Sequence, residues 1–272
     1  MNNTKPYKHE PEYAENSRDL IAQEQLKILF ESLPNSLLAT IVATILTAFL
    51  LWDFSNRATV VAWVCSMNII VLIRWLIYKR YFKSLSISGN LKTWRFRYAA
   101  STFMAAFAWG SIAIFLFPEE NFAYQSMIGF LLIGIAAVGI SSQSAINSIA
   151  SGFLFLTLAP ISFRFIINAE QTGWSPGLLV GLLLILLLSL SKHINKVILQ
   201  NITLRFESAN REEQWKKSEK KLSHHIHETP LAAIEWTQDG IITQWNPSAE
   251  SLFGYTKDEA LEKHLKDEWH LL

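Results

Sequence analysis

The chain has 272 residues, of which 50% are apolar and 17% charged, and its mean hydropathy is +0.20. That balance excludes an ordinary water-soluble domain of this length and points to a membrane protein. The net charge of +1 hides an asymmetry, because residues 1–200 carry 15 basic and 10 acidic side chains while residues 201–272 carry 9 and 13. The two stretches are expected in different surroundings, and no nucleic-acid partner is expected. One cysteine, Cys65, excludes an internal disulfide framework and a cysteine-based metal site, and it is read as packing inside its apolar stretch.

Residues 1–31 are polar and are read as a cytoplasmic N-terminal segment. They set the first apolar run too far from the N-terminus for a cleaved signal peptide. A helix needs about 20 mostly apolar residues to cross a bilayer, so long gaps between charges mark the spans. Glu31 to Asp53 encloses 21 uncharged residues, including SLLATIVATILTAFLLW. Arg57 to Arg74 encloses ATVVAWVCSMNIIVLI, with WLIY immediately after, and Arg74 is expected to snorkel toward the head groups. YAASTFMAAFAWGSIAIFLF is the third span. Glu120 to Arg164 encloses 43 uncharged residues, too many for one span, and the polar midpoint SSQSAINS predicts a tight turn between spans four and five. SPGLLVGLLLILLLSL is the sixth, so residues 32–191 read as a six-span bundle.

The connection from Arg74 to Arg97 has seven basic residues and no acidic one, whereas PEEN joins spans three and four. The first is expected in the cytoplasm and the second outside, which leaves both termini cytoplasmic in an inner membrane. Every outward connection is short, with no room for a folded ligand-binding domain. Gly129, Gly134 and Gly139 on span four, Ser148 and Gly152 on span five, and Gly177 and Gly181 on span six are expected at close helix contacts. Polar groups within the spans are few (Asn68, Arg74, Gln125, Asn147), which weighs against a transport pathway.

Residues 192–228 turn polar but keep helix formers, with neither Gly nor Pro. A heptad seam runs through Leu190, Ile194, Val197, Asn201, Leu204, Ser208, Arg211, Trp215, Ser218 and Leu222, apolar at its ends and polar in its middle. It reads as a solvated helix or as a parallel, imperfectly packed signalling helix that pairs two copies of the chain. The mixed charges of REEQWKKSEKK require only solvent.

HHIHETPLAAIEW, residues 224–236, resembles the phosphoacceptor box of sensor histidine kinases, His-Glu-x-x-Thr-Pro-Leu, with His225 at the nucleophilic position. The match fails at its chemistry: Ile226 stands where the acidic neighbour would assist proton transfer, and Glu228 where a basic residue is usual. His224, His225 and His227 do not make a metal site either, since only His224 and His227 share a helix face. Thr229 and Pro230 are read instead as a hinge that breaks the helix.

After Pro230 the pattern becomes strand, turn, strand: LAAIEW, the turn pair Asp239-Gly240, then a run through Ile241, Ile242 and Trp245. Asn246 is placed to cap a short helix that starts with Pro247 and ends at Gly254, and a second short helix starts at Thr256. WNPSAESLFGYTKDEALEKH after TQDGIITQ closely resembles the opening of a PAS sensory domain. The resemblance implies that Trp236, Asp239, Gly240, Trp245, Asn246, Ala249, Gly254 and Tyr255 are architectural positions of residues 229–272. It also implies an incomplete domain with open sheet edges and no assignable cofactor, because the pocket-building part of such domains comes later in their sequence.

The order of elements resembles the sensory half of bacterial inner-membrane signalling proteins, joined either to cyclic-di-GMP-turnover output domains (GGDEF and EAL) or to histidine kinases. The lead EQLKILFESLP and TPLAAIEW resemble the cyclic-di-GMP type more. No catalytic motif occurs in these residues, so the chain itself is not expected to be an enzyme. The expected architecture is mainly α: a polytopic six-helix transmembrane bundle, a cytoplasmic signalling helix and a truncated α+β PAS domain. Its expected partners are the lipid bilayer, a second copy through residues 190–226, and a full-length signalling homologue to which it would bind as a scaffold.

Overall fold

The computed structural model describes residues 10–84, 90–118, 121–168 and 173–264. Among these residues seven helices come first: α1 (Glu10–Leu51), α2 (Arg57–Ser84), α3 (Leu91–Gly110), α4 (Ile112–Phe115), α5 (Phe122–Gln143), α6 (Asn147–Ile167) and α7 (Ser175–Glu228). A two-stranded antiparallel sheet comes next, β1 (Ile234–Trp236) and β2 (Ile242–Trp245), then α8 (Pro247–Phe253) and α9 (Lys257–Ala260). The chain divides into two compact units between Thr203 and Leu204.

In the first unit six helical stretches are long and apolar enough to cross a membrane, with α3 and α4 counted as one, Leu91–Phe115. Their outward faces are as apolar as their inward ones: Phe49 is 81% exposed and Phe130 74%. A helix that is apolar all round belongs in a protein core or in lipid. Cys65 is on this outward face rather than packed inside, and Ser148 is exposed as well. A periodicity in apolar residues cannot separate the two faces when both are apolar.

α2 shows which face points inward. Val60, Trp63, Met67, Ile70, Arg74 and Tyr81 are all buried, and their spacing of three, four or seven puts them on one stripe. Trp63 donates its indole N–H to Ala108 O at 2.8 Å. Arg74 shares the stripe, so it lies within the bundle over the Tyr98 ring, at 6.0 Å, rather than snorkelling to a boundary.

α1 is continuous from Glu10 to Leu51 through Pro34. Leu26, Leu29, Phe30 and Leu33 pack into a core with Tyr81, Trp94, Tyr98 and Ile149. There Phe30 stacks on Tyr81 at 3.8 Å and meets Tyr98 edge-on at 5.3 Å. Asn90 caps α3 by accepting from Lys92 N at 3.0 Å.

The α5–α6 turn, residues 144–146, is held from two sides. Gln25 of α1 donates to Ala145 O, and Ser32 Oγ lies 3.0 Å from Ser142 O. From α7, Asn195 Nδ2 lies 2.8 Å from Ser144 O and 2.9 Å from Ala145 O, and Ser191 meets Ser144 at 3.3 Å. Exposed carbonyls of a tight turn need donors when buried, and these side chains supply them.

α7 therefore presents Ser191, Asn195, Ile198 and Ile202 inward, with Ile194 against the main core. Ile194, expected on a seam between copies, is used within the chain. Leu190, Val197, Leu204 and Trp215 of that seam are exposed. Beyond Thr203 the helix carries local ion pairs, Glu212–Lys216 at 2.7 Å and Glu213–Lys217 at 2.6 Å. Glu placed four residues before Lys is the favourable order on a helix surface.

Candidate functional site

The second unit builds its site where α7 ends. α7 stops at Glu228 and Thr229 is outside it, because Pro230 disfavours helical backbone at the residue before it. Residues 229–233 then run as irregular chain whose polar backbone is taken up by Asn246. Its Oδ1 accepts from Ala233 N and from Ala249 N, both at 2.9 Å, and its Nδ2 donates to Leu231 O at 2.9 Å. Its own N–H donates to Ala233 O at 3.2 Å. Ser248 Oγ donates to Thr229 O at 2.6 Å. One buried amide thus caps α8 and fastens the chain that leaves α7.

The hairpin is shorter than the sequence pattern suggests: β1 covers Ile234–Trp236 and not Leu231–Trp236, since Leu231 O and Ala233 N bond to a side chain instead. Pairing runs Ile234 to Trp245 and Glu235 to Gln244, then slips so that Trp236 faces Ile242. Asp239 and Gly240 form the turn; Gly240 has φ +82, which a side chain would strain. Gly240 N donates to Thr237 O at 2.9 Å and Thr237 N to Ile241 O at 2.9 Å.

The free edge of β2 is partly covered, contrary to the expected open edge. Ile242 N donates to Lys263 O at 2.9 Å, Glu262 N donates to Ile242 O at 3.1 Å, and Ile241 bridges His264. Glu262 reaches this position with φ +61.

Ile242, Trp245, Ala249 and Ala260 are the core of the unit, with Ile234, Phe253 and Tyr255 against them. Trp245 donates its indole N–H to Tyr255 O at 3.0 Å and meets the Phe253 ring at 5.6 Å. Ala249 is fully buried in this cluster. Gly254, at φ +80, ends α8 with its N–H on Glu250 O at 2.8 Å. A capping box opens α9, with the Thr256 N–H and hydroxyl at 2.9 and 2.8 Å from Glu259 Oε2. These hydrogen bonds, the backbone one first, hold the Glu259 carboxyl below the ordinary carboxylate range. Trp236 is on β1 but points outward, 57% exposed.

His225 lies within α7, two strands come after that helix rather than a second long helix, and His224 is exposed. Among the described residues, no group of three His, Cys, Asp or Glu side chains is placed to hold a metal ion.

The glycines of the first unit separate into three kinds. A Cβ on Gly139 would fall on the Phe153 ring, one on Gly152 would lie 2.5 Å from Phe103 Cε1, and one on Gly177 2.6 Å from Ile166 Cγ1. Gly129 and Gly181 have no such clash: a Cβ on Gly129 would be at ordinary contact distance, 3.6 Å from Phe165 Cε2, and one on Gly181 in a tight contact, 3.3 Å from Ser162 Oγ. Gly134 is not at a helix contact at all, since a Cβ there would meet nothing within 4 Å. Gly110, which was not among the glycines expected at contacts, approaches as closely as Gly139, and against backbone: its Cβ would fall on the Leu156 carbonyl oxygen. It ends a small-residue repeat, Thr102, Ala106 and Gly110, four apart and all buried on one face of α3, which is the signal that could have marked it.

A family model described as the PAS fold matches residues 220–271. The match starts within the last turns of α7 and covers the whole hairpin, α8 and α9. No curated protein and no solved structure matches the chain. The chain therefore carries a PAS-fold segment, of a kind used in sensory signalling, beside six long apolar helices.

Proposed function

We propose that the chain is the membrane-embedded sensory input of a bacterial signal-transduction protein. A change in the packing of its six spans is passed along α7 to the PAS segment and from there to an output domain of cyclic-di-GMP turnover. The observation that carries this reading is the continuity of α7 from Ser175 to Glu228, an element about 80 Å long. Asn195, well inside its first half, ties it to the α5–α6 turn, and the chain leaving its C-terminal end is tied to α8 by Ser248 and Asn246. A stiff element fixed to something specific at both ends is suited to transmit rotation or translation.

The apolar outward faces of α1 to α7 support placement in the inner membrane, and the basic α2–α3 connection supports cytoplasmic termini. The exposed Leu190, Val197 and Leu204 support pairing of two copies through residues 190–226.

Cysteines at Val197 and Leu204, oxidised in native membranes, test the relay. The reading expects a disulfide-linked dimer whose yield at the two positions changes in opposite directions when Asn195 is replaced by Ala. Absence of crosslinking at both positions would overturn the dimeric relay. Reporter fusions after residues 90 and 264 are expected to be cytoplasmic, and the reading frame past codon 272 is expected to encode a GGDEF or EAL domain rather than a kinase. A second reading, a stand-alone scaffold that binds a full-length homologue, is favoured by the exposed Leu231, Trp236 and Leu252 of the PAS segment. Co-purification with such a homologue, lost on Trp236→Ser, would support it over the first.

A further inference from the structure

A cavity of about 290 Å³ lies within the bundle, walled by α1, α2, α3, α5 and α6. At its inner end is Arg74, only 4% exposed. Its Nε and Nη2 atoms are buried without a hydrogen-bond partner, and among the described residues no carboxylate pairs with it. These two nitrogens form the edge of the guanidinium whose N–H bonds run parallel, the fork that matches the two oxygens of a carboxylate. The side chain stays ionised, so a fork left in this position calls for an anion. Gln143 Oε1, on the same wall, is a second buried polar atom without a partner.

Ser36 and Thr40 of α1 add two hydroxyls to the wall, and the rest of it is apolar. Ala39, Ala43 and Leu46 of α1 face Gly134, Ile135 and Val138 of α5 across it. Leu46 and Val138 are also exposed on the outside of the bundle, 53% and 49%, and nothing stands within 4 Å of a Cβ on Gly134. The cavity thus opens sideways between α1 and α5, through an apolar mouth kept wide by residues too small to close it. Water suits the guanidinium but not the apolar walls, and a small anion would leave most of the length unfilled. At roughly 30 Å³ for each water-sized group, the space takes about ten of them.

We infer that this slot binds a single-chain amphiphile with a carboxylate head, such as a long-chain fatty acid. The carboxylate lies on the Arg74 fork and the alkyl chain runs out between α1 and α5. The inference rests on the proposed membrane-embedded input, which supplies such molecules from the side, and it names the kind of signal that input reads. Gln143 is the last residue of α5 and directly precedes the turn on which Asn195 of α7 is latched. Occupancy of the slot therefore acts beside the attachment of the output helix.

The test is equilibrium binding of radiolabelled oleate to the purified full chain in a maltoside detergent, with thermal unfolding measured in parallel. Saturable binding at one site per chain is expected. Arg74→Gln should weaken it at least tenfold, Arg74→Lys several-fold through loss of the fork, and Gly134→Leu at least tenfold by filling the mouth without touching the head-group site. Without oleate, Arg74→Met should unfold at a higher temperature than the wild type, since it removes an uncompensated charge. Oleate should raise the unfolding temperature of the wild type and leave that of Arg74→Met unchanged. Wild-type affinity in both Arg74→Gln and Gly134→Leu would overturn the site, as would a lower unfolding temperature of ligand-free Arg74→Met. Competition by millimolar acetate as effective as that by oleate would assign the fork to a free carboxylate from solution and overturn the amphiphile. Equal competition by oleyl alcohol would overturn the reading of the charge by Arg74. None of these outcomes alters the reporter-fusion topology, so loss of the site and loss of the membrane reading are told apart.

Discussion

Replacing Asn246 by Ala removes the cap of α8 and leaves Ala233 N and Leu231 O without their partner in a part-buried setting. Loss of a cap and of part-buried hydrogen bonds together should cost the second unit about 2–3 kcal/mol. Asn246→Asp keeps the acceptor to Ala233 and Ala249 but turns a carboxylate oxygen onto the Leu231 carbonyl at a buried position, so it should not restore the lost stability at neutral pH. Hydrogen exchange at the Ala233 and Ala249 amides measures both; unchanged protection in Asn246→Ala would show that the staple does not hold the chain after α7. Glu259 offers a pH test with a defined sign. Its carboxyl titrates below the ordinary range in the fold, so its contribution is present above the unfolded value of about 4.3 and is lost as pH falls through the lower, folded value. The Thr256 amide resonance should therefore shift as α9 loses its capping box in acid, and Glu259→Ala should abolish that titration. Asn246 was recognisable in the sequence as a cap because capping is local. Its bonds to residues 231 and 233 were not, since they join segments brought together only by the hairpin.

At the scale of the helices, the glycines make graded predictions. Gly110→Ala sets a methyl group against the Leu156 backbone at the α3–α6 crossing, which cannot swing aside, and should destabilise the bundle by about 3 kcal/mol. Gly139→Ala and Gly152→Ala meet ring edges that can rotate and should cost about 1 kcal/mol. Gly134→Ala meets nothing and should gain up to about 1 kcal/mol from helix propensity alone. Thermal unfolding in detergent ranks the four, and a Gly110→Ala variant as stable as Gly134→Ala would refute the close crossing. The existence and order of the helices could be read from the gaps between charges, because the cost of burying a charge is a property of each residue in turn. Which glycine is at a contact could not be read, since that depends on the rotation of a partner helix. Arg74 is the instructive case. The spacing Val60, Trp63, Met67, Ile70, Arg74, Tyr81 contained its inward orientation, but a stretch that is apolar on every face conceals its stripe.

Across the molecule, the larger part of the apolar surface of α1, α2 and α7 lies outside the bundle, an arrangement that water does not tolerate over such an area. On the proposed reading the chain stays in the membrane pellet after a high-pH carbonate wash; release into the supernatant would contradict it. The sequence by itself determined the six long apolar helices, the polar helix that continues the last of them, and the PAS-like opening with its turn and caps. Each of these rests on residues close together in the chain: hydropathy over one span, spacing over one helix, a cap and its first turn. The tertiary structure alone decided that Leu26, Leu29, Phe30 and Leu33 of α1 pack against α2, α3 and α6, that the first part of α7 latches onto the α5–α6 turn, and that Arg74 lines a cavity walled by five helices. These depend on which faces of distant helices meet. In a bundle apolar inside and out, the hydrophobic pattern does not specify those faces, and close packing with a few buried polar groups does.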